Sequence, residues 1–258
     1  IYEKNKSLGR KFLVAGKGGF NLTHSEPIAQ LIERYTPSDF LQKALLDFDN
    51  EALQKWLNDT GIPTFVGSSK RVYPAKDIKP IEVLNAITKV LSDQGVNIQY
   101  EQNWTGWNAD NNLVFNGETE VKSDFTVFAL GGGSWKVTGS DGTWLERFQK
   151  QGLEVVPFQS SNCAYQINWP DKFISKHEGN PLKNIAISCA DKNQKGELVL
   201  TKLGLEGNAI YALSPQIREE LNAIGKSHVF LDLKPMLTTE QLIQKFNKSG
   251  LKNSTDIL

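Results

Sequence analysis

Glu3, the basic residues Arg10, Lys11 and Lys17, and the run Gly131, Gly132, Gly133 are the positions whose type and spacing could do chemistry. A carboxylate at the C-terminal end of the second strand of a nucleotide-binding βαβ unit can accept hydrogen bonds from both hydroxyls of an adenosine ribose. Such an acid stands about 20 residues beyond a G-x-G-x-x-G turn, and only Ile1 and Tyr2 precede Glu3. By type alone, Glu3 reads first as a solvated acid in the "EKNK" charge cluster. The loop that follows is spaced by Gly9, Gly16, Gly18 and Gly19. Backbone N–H groups in such a loop, with three cations beside them, can hold a pyrophosphate or another anion; a flexible surface loop with solvated lysines would look the same. The apolar run "FTVFAL" leads straight into the three glycines, where backbone can approach a ligand at the carboxyl end of a sheet. A tight exit from a strand would also use glycine there.

Other chemistries find less support. "AGKGGFN" fails as a phosphate-binding P-loop, because Lys17 is followed by Gly18 and not by Ser or Thr, and Lys11 stands where the motif has its upstream glycine. Arg71 in "KRVYP" is a candidate anion or substrate contact, with a surface ion pair as the plainer reading. His24, His177 and His228 are scattered, and Cys163 and Cys189 form no C-x-x-C pair. No metal site is expected from them, and no Ser–His–Asp or paired-carboxylate pattern stands out. No catalytic residue is assigned.

The elements that must position these residues follow from pattern. Residues 1–3 read as the end of a strand and 5–26 as a long irregular loop, a kind of segment that is usually functional. Helices are expected over 27–34, from Thr36-Pro37 with Asp39 closing a capping box, over 51–58 and over 78–94. A turn-rich segment with one short strand (64–77) precedes the last of these. Short strands follow ("VNIQYEQ", "WTGWNADNN", "LVFNGETEV"), then "FTVFAL" as a strand buried on both faces. A helix over 141–150 and a strand "GLEVVPF" come next. From about Ser160 the texture changes to short strands, with a helix around 210–221, a strand "HVFLDL" and a helix from Thr239. A boundary falls near 157–162.

With 258 residues there is room for one large domain or two ordinary ones. Lys+Arg and Asp+Glu are each 29, which argues against a general nucleic-acid or polybasic membrane role and leaves room for a local patch. No apolar run approaches the roughly 20 residues of a spanning helix, so no membrane partner is expected and cytoplasm is the default location.

Taken in order, "E-x(5)-GRKFLVAGKGGFNLTHSE", "TFVGSSKRVYP", "FALGGGSWKVTGSDGTW" and "LTKLGLEGNAIY" resemble the bacterial NAD(P)/FAD-dependent oxidoreductases grouped as aminoacetone-oxidase-like or bile-acid-reductase-like flavoproteins. The resemblance is to the subgroup with A-G-K-G-G-x-N-L-T-H-S-E, where the wider family more often has S-G-G-G-R-C-N. It implies an α/β fold with a two-dinucleotide-binding-type FAD domain, an incomplete Rossmann-like sheet plus β-meander, and an inserted β-rich α+β domain. The FAD domain would span 1–159 and the inserted, substrate-side domain 160–258.

By position, the resemblance gives Glu3 the adenosine ribose. It assigns Gly9, Arg10 and Lys11, with the loop residues Ala15, Gly16, Lys17, Gly18, Gly19, Asn21 and Thr23, to the pyrophosphate and flavin side. Gly131, Gly132 and Gly133 would close over the cofactor. Two departures stand out: the G-x-G-x-x-G turn and the C-terminal return to the FAD domain are not in the sequence, so poor FAD binding is expected of it. The function implied is hydride or electron transfer between flavin and a small-molecule substrate or NAD(P)H. A flavin- or nucleotide-binding sensor or scaffold without turnover is the alternative, and an NAD-only dehydrogenase fits less well. Substrate, electron donor and oligomeric state are not legible.

Overall fold

The computed structural model describes residues 1–14 and 20–248. The chain divides into two compact units, Ile1–Phe158 and Gln159–Leu258.

In the first unit, Ile1–Glu3 lie parallel to 97–102. Tyr2 bridges Gln99, Glu3 N donates to Gln99 O at 2.8 Å, and Gln102 N donates to Glu3 O at 2.9 Å. The segment expected as one long loop contains two elements, α1 (Arg10–Val14) and β1 (Thr23–His24). Gly9 makes α1 possible. It takes a left-handed φ of +67°, and a Cβ there would come within 2.8 Å of the Leu84 side chain. Phe12 then packs on the cluster of Leu57, Ile62 and Val83. A helix of five residues is too short to show a period, which is why the sequence concealed it.

Next come α2 (Ile28–Ile32), α3 (Gln42–Asp47) and α4 (Asn50–Asp59). The second helix expected in the sequence does not start at Pro37. Its first backbone bond is Leu45 N to Leu41 O, because apolar residues recur at helical spacing only from Leu41 onward. In α4, Asp49 caps the N-terminus by accepting from Glu51 N at 3.0 Å and Ala52 N at 2.7 Å. The stretch 64–77 holds two strands, β2 (Thr64–Val66) and β3 (Arg71–Pro74), and the sheet order is β1-β3-β2. Helix α5 (Pro80–Asp93) starts with Pro at its first position and with Glu82 accepting from Lys79 N at 2.7 Å. An antiparallel meander follows: β4 (Trp104–Trp107), β5 (Leu113–Phe115) and β6 (Thr119–Val121). Helix α6 (Trp144–Lys150) closes the unit and packs Trp144 and Phe148 on the meander core of Trp104, Leu113 and Phe115.

Three expected strands are absent. "VNIQYEQ" forms none, and only its Gln99 makes a bridge, to Tyr2. "FTVFAL" forms no strand; Phe125 is 94% and Val127 91% exposed. "GLEVVPF" forms none either, and Val156 is 82% exposed. A strand buried on both faces needs hydrogen-bonding neighbours on both edges, and among the described residues no strand pairs with either segment.

The second unit is built on a five-stranded sheet. Its elements are β7 (Tyr165–Gln166), α7 (Asp171–His177), β8 (Pro181–Cys189), β9 (Lys192–Thr201), β10 (Gly204–Glu206), α8 (Asn208–Ala212), α9 (Ser214–Ile224), β11 (Phe230–Asp232) and α10 (Thr239–Lys248). The order is β11-β8-β9-β10-β7, and every pairing is antiparallel. The helix expected around 210–221 is two helices, α8 and α9, since Pro215 lies in the first turn of α9 and cannot continue a preceding helix. Ile187, Leu198, Ile210 and Leu213 form the centre of this core.

Candidate functional site

Three of the segments singled out in the sequence lie together in the first unit. Glu3 ends the parallel ladder, and its Oε1 accepts from Asn5 N at 2.7 Å and Asn5 Nδ2 at 2.6 Å. Its Oε2 carries no hydrogen bond among the described residues and is open to a hydroxyl donor. Lys11, on α1, reaches across 123 positions to the segment after the glycine run, donating to Ser134 O at 3.0 Å and Ser134 Oγ at 3.1 Å. Lys4 pairs with Asp141 at 3.2 Å, next to the same segment.

The glycines leave space. Beside a Cβ built on Gly132 there is nothing within 4 Å, and beside one on Gly131 only Ser140 Oγ at 3.5 Å. At Gly133 the Phe158 ring stands 2.9 Å from such a Cβ. Gly131 O is taken by Trp144 Nε1 at 3.0 Å. Arg10 and Asn21 are exposed. Ala15, Gly16, Lys17, Gly18 and Gly19 lie outside the described residues.

Asp141 carries the most perturbed carboxyl here. Burial pushes it up, but the N–H and O–H of Thr143 and the Lys4 ammonium outweigh that and hold it at about 2.

Thr23 and Arg71 belong to a second constellation, on the β1-β3-β2 sheet. Thr23 pairs with Val72, and His24 pairs with Arg71. Sequence reading passed over the residues behind His24. Glu26 is 5% exposed; its carboxylate takes both Arg34 Nε and Arg34 Nη2, the latter at 2.6 Å. The Arg34 hydrogen bonds, working against burial, hold Glu26 below the usual carboxylate range. His24 Nδ1 accepts from Glu26 N at 3.2 Å. Asn50, buried at the first position of α4, donates to His24 O at 2.6 Å and Glu26 O at 3.0 Å. The available signal was the "THSE" stretch itself, a histidine and an acid two apart beside a run of glycines. Among the described residues no group of three or more His, Cys, Asp or Glu could hold a metal ion.

The first unit holds one parallel bridge, Tyr2 to Gln99, with Glu3 beside it, and the match to a known family places the chain among Rossmann-type α/β proteins. More specifically, it belongs to the family described as the HI0933-like protein Rossmann domain, whose model matches residues 1–244. A relative from Haemophilus influenzae, named ribosomal RNA dihydrouridine synthase, is 23% identical over 270 residues. That match takes in 98% of this chain and 62% of the relative, so the chain spans less than two thirds of the relative's length.

Proposed function

We propose that the chain is part of an FAD-dependent oxidoreductase of the two-dinucleotide-binding type, with NAD(P)H or a small molecule as the partner in hydride transfer. The observation that carries this reading is Glu3. Its backbone is held in the parallel ladder by Gln99 and Gln102, and Asn5 occupies one carboxylate oxygen while the other stays free. That is the arrangement a ribose hydroxyl needs. The residues present fit the cofactor in a second respect, since the space at Gly131 and Gly132 lets backbone N–H groups approach a phosphate. Gly9, Arg10 and Lys11, with Ala15 to Gly19, Asn21 and Thr23, would flank the pyrophosphate and flavin. The flavin, when bound, supplies the hydride chemistry, and the protein's part is binding, orientation and electrostatics.

Titration of the chain with FAD, followed by flavin fluorescence, tests the reading. A weak but saturable signal is expected, and Glu3→Gln should weaken it by about tenfold, the worth of one hydrogen bond to a charged group. Binding that is indifferent to Glu3, or no saturable signal at millimolar FAD, would overturn it.

A second reading concerns the hydride acceptor. It takes a uridine of ribosomal RNA as the acceptor, and what supports it is the name of the Haemophilus influenzae relative together with the exposed Arg71, a local cation for a phosphate although the net charge is zero.

A further inference from the structure

The β1-β3-β2 sheet has two unlike faces. Residues directly opposite in an antiparallel pair share a face, and the face alternates along each strand. Val72 and Pro74 therefore point one way, and both are buried. His24 opposite Arg71, and Phe65 opposite Tyr73, point the other way. On that second face Phe65 is 42% exposed and Arg71 is exposed. The Phe65 and Tyr73 rings stack at 5.7 Å with an interplanar angle of 29°. A Cβ at Gly67 would stand 2.9 Å from the Tyr73 ring, so the glycine of "TFVGSSKRVYP" leaves the ring its place.

Among the described residues Arg71 has no carboxylate partner. Lys70 sits at the turn, with its carbonyl held by Ser25 N at 2.8 Å and Ser25 Oγ at 3.1 Å, and its charge acts on the Glu26 carboxylate. His24 is held from behind: Nδ1 lies 3.2 Å from Glu26 N and 3.4 Å from Glu26 Oε1, and Nε2 has no partner among the described residues. The pair of buried Glu26 with exposed Arg34, together with Asn50, fixes the backbone on which the ring stands.

An aromatic pair that can stack a planar ring, an unpaired guanidinium for a phosphate and an imidazole nitrogen without a partner together match one ligand chemistry. We propose that this face binds a nucleotide, with the base on Tyr73 and Phe65, the phosphate on Arg71 and His24 Nε2 in hydrogen-bond contact with the ligand. The proposal rests on the reading that the substrate or hydride donor is a nucleotide. It names a surface separate from the Glu3 end that FAD would occupy. The nucleotide could be free, as in NADPH or UMP, or one unit of a single strand, where stacking on aromatic side chains and backbone cations combine in the same way.

The test is equilibrium binding of the whole chain to UMP, NADPH, a fluorescent ten-residue oligouridylate and inorganic phosphate, with FAD titrated in parallel. Arg71→Ala should weaken UMP and oligouridylate at least tenfold and lower the salt slope for the oligonucleotide by about one. Tyr73→Leu should weaken the nucleotides at least fivefold while leaving inorganic phosphate unchanged, which separates stacking from charge. Oligouridylate binding more than ten times tighter than UMP assigns the face to a strand; equal affinities, or preference for NADPH, assign it to a free nucleotide. Absence of nucleotide binding, or parental affinities in both variants, overturns the proposal. Since Glu3→Gln reports on the FAD reading alone, the two can fail separately.

Discussion

At the scale of single residues, two carboxylates dominate the first unit. Glu26 is nearly enclosed and is balanced by one bidentate guanidinium. Asp141 is held at about 2, against an ordinary value of 3.8, by Thr143 and Lys4. Both are depressed, so the stability they contribute is present above the unfolded-state value and is lost as pH falls toward the folded one. For Asp141 that window runs from 3.8 down to about 2; for Glu26 it begins near 4.5 and extends below. Asp141→Asn should therefore cost about 1–2 kcal/mol at neutral pH, the shift discounted for partial exposure. It should also flatten the loss of stability between pH 4 and pH 2. Urea unfolding at stepped pH measures both, and a variant whose acid limb is as steep as the parent's would show that Asp141 is not the group responsible.

At the scale of elements, the sequence was most legible where a period runs long enough to be counted. Helix α4, expected over 51–58, and helix α5, expected over 78–94, lie within two residues of those bounds. The meander shows its turns as N-G and D-N-N. What stayed hidden has physical causes. Helix α1 is one turn long and depends on the φ of Gly9. "FTVFAL" has the composition of a doubly buried strand, yet composition does not supply a neighbour, and without one Phe125 and Val127 stand in solvent. The candidate site was legible in part for the same reason. Glu3, Lys11 and the glycine run could be named from type and spacing, and the Lys11–Ser134 bonds bring two of those segments together. Glu26 had a signal in "THSE"; Arg34 and Asn50 had none, because Arg34 meets Glu26 only in the fold and Asn50 meets His24 only once α4 abuts β1. That junction is testable. Asn50 makes two buried hydrogen bonds, to His24 O and Glu26 O, and their loss leaves two buried carbonyls short of a partner. Asn50→Ala should lower stability by about 2–3 kcal/mol, read as a shift in the urea midpoint at unchanged slope. A change under about 0.5 kcal/mol would mean that water takes over both carbonyls and that the junction is not what holds His24.

At the scale of the whole molecule, the second unit owns its core. Ile174, Ile185, Ile187, Cys189, Leu198, Leu200 and Leu205 come from its helix and sheet, and Ala209, Ile210, Leu213 and Ile217 from the two helices that cover it. All the strand pairings of that sheet are made between strands of the unit itself. Gly204 seals the pairing of β10 with β7, since a side chain there, at φ +147°, would overlap the Tyr165 carbonyl oxygen. A unit of this size with a self-contained sheet and its own apolar centre has what an independent domain needs. The fragment 159–258 should therefore fold by itself, with a single cooperative urea transition and dispersed amide resonances. Leu198 is fully buried beneath α8, and Leu198→Ala should cost about 2–5 kcal/mol, a large share of the roughly 5–15 kcal/mol that holds a domain together. The penalty should be the same, within about 0.5 kcal/mol, in the fragment and in the second-unit transition of the whole chain, because mutations with no shared partners are additive. A fragment that unfolds without a cooperative transition, or a Leu198 penalty that appears only in the whole chain, would mean that this core draws stability from residues before Gln159 and that the unit is not a domain in the energetic sense.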